Sequence, residues 1–157
     1  MTSSVTVVRE ISAPSDKVWS MITDLTRMGE WSPENTGGTW IKGATGPALG
    51  AVFKGTNKNG WRKWSTIATV SACQEGKAFE FDVSALGLKV ARWSYLVEPT
   101  ENGCKVSETF TDLRNSLIKL GGKPISGVSD RDTHNRSTME VTLENLAKAA
   151  ETAEAAS

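Results

Sequence analysis

The stretch KAFEFDVSALGLKVARWSYLVEPTENGCKVSETFTD, from Lys77 to Asp112, decides the fold because it reads as three consecutive strands. Apolar and aromatic side chains recur at every second residue, as in strands that bury one face. The pairs Leu86-Gly87 and Asn102-Gly103 interrupt this alternation and supply the positive φ of tight hairpin turns. Neighbouring strands are therefore predicted to pair in antiparallel order.

The same alternation continues towards the N-terminus, while the C-terminal part changes to a helical pattern. Two short helices are predicted between Ser15 and Glu30, after the first strand, and one long helix from Val128 to about Glu154. This order predicts an α+β fold with a single antiparallel sheet. The predicted strands are Val5–Ile11, Thr39–Lys42, Gly50–Asn57, Arg62–Cys73, Lys77–Ala85, Leu88–Glu98 and Cys104–Asp112.

Length and composition narrow the class of protein. The 157 residues predict one domain, 1–157, with an ordered core over about residues 4–150. Lys and Arg together number 18, as do Asp and Glu, so there is no positive excess for binding nucleic acid. No segment approaches the ~20 apolar residues that span a bilayer, and the first residues show no secretion signal. We expect a cytoplasmic protein without membrane insertion.

Strand parity predicts which side chains face inwards. Most of these side chains are aromatic, but Asn57 and Glu108 fall on the same face. A carboxylate without a partner in a solid apolar core is costly, so Glu108 needs either a partner or a cavity. Plain packing of the aromatic rows is the alternative interpretation. The predicted cavity residues on the strands are Phe53, Asn57, Trp64, Phe79, Phe81, Trp93, Tyr95, Glu108 and Phe110.

The last helix has a divided inner face. Met139 begins an apolar stripe that continues at helical spacing, whereas Asp132, Asn135 and Arg136 lie one or two turns earlier on much the same face. A half-apolar, half-polar face is typical of a pocket with one polar end. The pattern therefore predicts an internal cavity that Asp132, Asn135, Arg136 and Met139 line from the helix side.

Five segments of this chain carry a resemblance to a known group of proteins. They are DLTRMGEWSPE (24–34), TWIKGATGPALGAVFKGTN (39–57), WSTIATV (64–70), WSYLVEP (93–99) and GCKVSETF (103–110). The chain resembles the START-related helix-grip superfamily, SRPBCC, and within it the bacterial polyketide cyclase/dehydratase and lipid-transport-like subgroup. The resemblance implies a curved seven-stranded antiparallel sheet wrapped around a long C-terminal helix and enclosing an apolar cavity. It carries over no catalytic residue.

Three functions are compatible with this reading. The favoured one is binding, sequestration or transport of a small hydrophobic ligand, such as a lipid, polyketide or aromatic metabolite. The first alternative is a cyclase/dehydratase-type enzyme with Glu108 as acid/base, partnered by Tyr95 or Arg136. Glu108 could instead be structural, paired with Arg92, Arg136 or a backbone amide. The second alternative is a ligand-free protein-interaction module.

Remaining expectations concern the cavity entrance, metals and assembly. The entrance is predicted between the loop 113–127 and the turn at 28–31, with Trp31, Leu117 and Leu120 as a lid. The alternative places Trp31 in the core. A single histidine, His134, excludes a multi-histidine metal site, and its spacing favours a surface position facing solvent or the lid. We expect no cofactor and a monomer or homodimer.

Overall fold

A computed structural model describes residues 4–114 and 131–155 of the chain. Two helical segments follow the first strand: α1 (Ser15–Thr23) and a 3₁₀ helix (Leu25–Glu30), and the long helix α2 spans Arg131–Ala155. The strands are β1 (Ser4–Ile11), β2 (Asn35–Ile41), β3 (Val52–Asn59), β4 (Arg62–Gln74), β5 (Ala78–Ala85), β6 (Leu88–Thr100) and β7 (Gly103–Asp112).

All seven strands form one antiparallel sheet in the order β1-β7-β6-β5-β4-β3-β2. Short connections join the strands from β2 to β7 in chain order. Strand β1 pairs with β7, and the two short helices lead from β1 to β2 at the opposite edge of the sheet. Shifts in register fall between Asn35 and Gly37, Val70 and Ala72, and Val83 and Ser84. Such bulges bend strands, and the curved sheet with its C-terminal helix is the predicted α+β helix-grip architecture.

The helix α2 is held in place by the burial of its apolar stripe and by contacts with β1 and α1. Met139, Leu143 and Leu146 are each 1% exposed. Burying each of these side chains contributes about 1.5–3 kcal/mol relative to exposure. Polar contacts secure the C-terminal part of the helix, where the Lys17 ammonium donates to the carbonyl oxygen of Ala150 at 3.0 Å. The helix is therefore held against β1 and α1 while its N-terminal half faces the sheet interior.

The strand register brings the predicted inward-facing side chains together. Trp93 lies opposite Phe110 on one side and Phe81 on the other, and Tyr95 lies opposite Glu108. Directly opposite residues point to the same face of an antiparallel sheet, and a shift of one residue would reverse the face. The parity predicted for these strands is confirmed.

Most strand limits lie within two residues of the predicted ones, and the start of β2 differs by more. Strand β2 begins at Asn35, four residues before the predicted Thr39, because Gly37 and Gly38 are part of the strand. A Cβ on Gly38 would lie 2.0 Å from the carbonyl oxygen of Lys54, so glycine allows the close pairing with β3 there. Helix α2 is described from Arg131, and the predicted start at Val128 lies outside the described residues.

Candidate functional site

A cavity of ≈ 190 Å³ lies between the inner face of the sheet, the 3₁₀ helix and the N-terminal half of α2. Strands β3 to β7 supply most of its wall, and α2 closes it on the other side. Of the residues predicted to line a cavity, those found at its wall are Phe53, Asn57, Trp64, Phe81, Trp93, Tyr95, Glu108, Phe110, Asn135 and Met139.

Phe79 and Arg136 are not part of the wall. Phe79 is 1% exposed and packs in the core, with its ring centroid 5.6 Å from that of Phe81. It lies two residues before Phe81 on β5, on the side of the sheet interior where Val97 and Val106 are fully buried. Arg136 is exposed, because it follows the inward-facing Asn135 and is turned about 100° around the helix. The sequence prediction for these two residues is wrong.

The predicted lid is only partly within the described residues. Trp31 is 2% exposed, and its carbonyl oxygen accepts a hydrogen bond from Asn145 Nδ2 at 3.0 Å. The expectation of an exposed Trp31 at the entrance is therefore wrong, because the ring is anchored in the core. Leu117, Leu120 and the side chain of Asp132 lie outside the described part of the chain.

Several wall residues were missed from the sequence. Thr138 and Thr142 extend the stripe of Asn135 and Met139 at spacings of three and four, so helical periodicity could have found them. Leu25 and Met28 contribute from the 3₁₀ helix, where no periodic pattern marks the inner face. Further wall residues outside the predicted set are Ser32, Glu34, Asn35, Gly55, Thr66, Ala68, Val83, Val90, Ala91 and Arg114.

The polar feature of the wall is a hydrogen-bonded pair on neighbouring strands. The Tyr95 hydroxyl on β6 donates to Oε1 of Glu108 on β7 at 2.7 Å. Oε2 of Glu108 is buried and has no hydrogen-bond partner among the described residues. The expected contact with Tyr95 is present, whereas Arg92 binds Asp82 instead, at 2.7 Å, and forms no ion pair with Glu108.

Burial controls the protonation of this pair. Removal from water raises the pKa of Glu108 to about 8, although the hydrogen bond from Tyr95 acts in the opposite direction. Burial also raises the pKa of Tyr95 well above its usual value, with a further contribution from Glu108. At neutral pH the pair therefore consists of a phenol and a neutral carboxylic acid. Such an acid can donate a hydrogen bond or a proton into the cavity.

Ionic contacts lie at the polar end of the cavity. His134 Nε2 on α2 is 2.8 Å from Oε2 of Glu34, which is a wall residue. His134 was expected at the surface, facing solvent or the lid; its side chain is partly exposed, and its ring joins the first turns of α2 to the segment before β2. Arg114 binds Asp112 at 2.8 Å. In the described ranges, no three His, Cys, Asp or Glu side chains come together as a metal site would require.

Comparison with protein families gives one match over most of the chain. The model of the family described as "Polyketide cyclase / dehydrase and lipid transport" matches residues 2–151. No curated protein sequence matches the chain significantly.

Solved structures show the same fold. The solution structure of a Polyketide_cyc-like protein from Corynebacterium glutamicum is 27% identical, with a TM-score of 0.65, covering 94% of this chain and 91% of that one. The di-domain ARO/CYC protein StfQ of the steffimycin biosynthetic pathway is 13% identical (TM-score 0.72), over 100% of this chain and 53% of that one. The Aha1 dimer from Colwellia psychrerythraea is 16% identical (TM-score 0.66), over 95% and 96%.

Proposed function

The chain belongs to the polyketide cyclase/dehydrase and lipid transport family, and from this premise we propose that it binds a small hydrophobic molecule in its internal cavity. The finer proposal is sequestration or transport of a lipid, a polyketide or an aromatic metabolite. The observation that carries it is the cavity itself, which has an aromatic wall on the strands and a polar end at α2.

The partial burial of the aromatic side chains in the cavity wall supports the proposal. Trp64 and Trp93 point to the inner face of the sheet, are only partly buried and border the cavity. Trp93 packs against Phe110 with 5.2 Å between ring centroids and leaves another part of its surface uncovered. An apolar ligand that covers such surface gains about 25 cal/mol for each Å² removed from water.

A cavity-filling variant provides the test. Ala68 lies in the wall on β4, and Ala68→Phe should fill part of the cavity. The matched control is Thr69→Phe, one residue further along β4 on the outer, exposed face. Titration with the neutral dye N-phenyl-1-naphthylamine should give saturable fluorescence enhancement with the wild type and the control, and greatly reduced enhancement with Ala68→Phe. Absence of saturable binding to the wild type, or equal binding by both variants, would contradict the proposal.

A second candidate function is acid/base catalysis of the cyclase/dehydratase type. It is favoured by one observation: Glu108 is a neutral acid near neutral pH and faces the cavity with one unpartnered oxygen. In a dehydration such an acid would protonate the departing hydroxyl group, which leaves as water, and the resulting carboxylate would take up the proton lost from the α-carbon. Glu108→Gln should abolish conversion of a β-hydroxy ketone substrate without lowering the melting temperature. Unchanged turnover would exclude Glu108 as the acid.

The cellular location and the oligomeric state of the protein stay predictions. Among residues 4–114 and 131–155, no helix combines the length and the hydropathy needed to cross a membrane. We propose a cytoplasmic protein of one domain that acts as a monomer or homodimer, without a nucleic-acid partner. Light scattering coupled to size-exclusion chromatography distinguishes the two assembly states, and a larger assembly would contradict both.

A further inference from the structure

The unpartnered oxygen of Glu108 marks a specific position in the cavity wall. Glu108 is 2% exposed, and its Oε2 has no hydrogen-bond partner among the described residues. Buried polar atoms in folded proteins are nearly always paired, so an orphaned one at a cavity wall indicates a missing partner. The other oxygen, Oε1, is occupied by the Tyr95 hydroxyl at 2.7 Å.

The arrangement fixes where the proton of the acid lies. Tyr95 donates its only hydroxyl proton to Oε1, and its raised pKa means that it keeps that proton. Oε1 therefore acts as the acceptor oxygen of the carboxylic acid, and the acidic proton resides on Oε2. The pKa of Glu108, about 8, makes this neutral form the main one at neutral pH. The cavity thus contains a donor without an acceptor.

The charged groups around Glu108 do not supply a counterion. Arg9 on β1 is exposed, Arg114 is bound to Asp112, and Glu34 is in contact with His134. The α2 residues at the wall are uncharged, and β5 presents aromatic rings. Among the described residues, this face also carries Arg62 at the first position of β4, with its guanidinium carbon 4.6 Å from the centroid of the Trp61 ring. It further carries the thiols Cys73 and Cys104, for both of which burial raises the pKa.

We propose that the ligand is a neutral aromatic or polycyclic carbonyl compound whose carbonyl oxygen accepts a hydrogen bond from Oε2 of Glu108. This inference rests on the proposed ligand-binding function and names the chemical class of the ligand. The wall aromatics Trp93 and Phe110 lie directly beside Tyr95 and Glu108 in the register, so the same ligand can contact the rings and the acid.

Charged ligands fit this position less well. A carboxylate ligand would bring its own negative charge into an apolar enclosure. The cationic side chain described at the cavity wall, Arg114, is already bound to Asp112. An amine would require Glu108 to ionise against the effect of its burial. A hydrocarbon would fill the cavity but leave Oε2 without a partner. A neutral acceptor such as a carbonyl oxygen satisfies the donor without burying a charge.

A pair of isosteric ligands tests the inference. In 2-isopropenylnaphthalene a methylene group replaces the carbonyl oxygen of 2-acetonaphthone, and the shape is retained. Calorimetric titration of the wild type at about pH 6.5 should show about tenfold tighter binding of the ketone. The preference should disappear at about pH 9.5, because the ionised carboxylate no longer donates. Infrared spectra of the bound ketone at the lower pH should show its carbonyl stretch shifted to lower wavenumber.

Two variants identify the donor. Glu108→Met combined with Tyr95→Phe removes both hydroxyl donors of the pair and should abolish the ketone preference at both pH values. Glu80→Met, at an outward-facing carboxylate on β5, is the control and should retain the preference and its pH dependence. Equal binding of both ligands to the wild type, or a preference that survives in the double variant, overturns the inference while the proposed function stands. If neither these ligands nor the neutral dye bind, the proposed function fails as well.

Discussion

Glu108 is a buried carboxyl group that is stabilised by a phenol instead of a cation. Its neighbours in the register are Tyr95 on β6 and Val7 on β1, and among the described residues the hydrogen-bond partner of its carboxyl group is the hydroxyl of Tyr95. Replacement of an ion pair by a neutral acid avoids the desolvation of a charge. The consequence at the residue scale is a stability that depends on pH.

The sign of this dependence follows from the raised pKa of Glu108, about 8. Between the unfolded value near 4.5 and the folded value, the native state holds one more proton than the unfolded state. The free energy of unfolding should therefore fall with rising pH in this window, by about 1.4 kcal/mol per pH unit. Urea denaturation at several pH values measures it. Glu108→Gln should remove this slope, whereas Glu98→Gln, at an exposed carboxyl, should retain it. Equal slopes in all three proteins would contradict the protonated state.

The Tyr95 hydroxyl has an effect of its own. Tyr95→Phe removes the donor to Oε1 of Glu108 and should lower the free energy of unfolding by about 1–3 kcal/mol, because it leaves a buried acceptor unpaired. It should also raise the pKa of Glu108 further, since the hydrogen bond from Tyr95 lowers that pKa. Denaturation at neutral pH and the infrared carboxyl band measured against pH provide the two readouts. A variant as stable as the wild type would show that this hydrogen bond contributes little.

At the scale of elements, strand β2 depends on the close approach of its backbone to β3. A Cβ on Gly38 would lie 2.0 Å from the carbonyl oxygen of Lys54, at a φ of +148°. Gly38→Ala should therefore destabilise the protein by about 2–4 kcal/mol and weaken the β2–β3 hydrogen bonds. Amide hydrogen exchange of residues 35–41 measures this weakening. Gly46→Ala is the control, because a Cβ there meets no atom within 4 Å.

A buried and an exposed residue of α2 test how much its apolar face contributes to the free energy of unfolding. Leu143 is 1% exposed and Val141, two residues earlier, is 39% exposed. Leu143→Ala should lower the free energy of unfolding by about 2–5 kcal/mol, because it leaves a cavity in the core. Val141→Ala should change it by about 0.5 kcal/mol or less. Chemical denaturation compares the two variants, and similar losses for both would mean that the helix is not held by its apolar stripe.

The elements also show what sequence patterns could predict. Alternation in β6 and β7 was sufficient to place Tyr95 and Glu108 on one inner face, because a one-residue shift would have exposed every aromatic side chain. The start of β2 was predicted four residues too late, because Gly37 and Gly38 have no side chains that could extend the alternation. In the structure Gly38 approaches the backbone of β3 and Gly37 approaches the carbonyl oxygen of Thr26 in the 3₁₀ helix. Trp31 was misplaced for a related reason, because irregular segments carry no period from which burial can be read.

At the scale of the whole molecule, a sheet wrapped around one helix either packs solid or encloses space. Here the C-terminal part of α2 fills the interior, with Leu143, Leu146 and Ala150 fully buried. The N-terminal part presents shorter, polar side chains, including Asn135 and Thr138, and the cavity lies beside them. The divided helix face therefore predicted a pocket with a polar end, although the occupant of the cavity depends on chemistry that no periodic pattern encodes.

The methionines offer the most direct measurement of ligand binding inside the cavity. Met28 and Met139 line the cavity, whereas Met21 is buried in the core away from its wall. With ¹³C-methyl-labelled methionine, NMR titration with 2-acetonaphthone should shift the Met28 and Met139 signals saturably and leave Met21 nearly unchanged. Shifts that do not saturate, or unchanged Met28 and Met139 signals, would contradict the binding of a small hydrophobic ligand in the cavity.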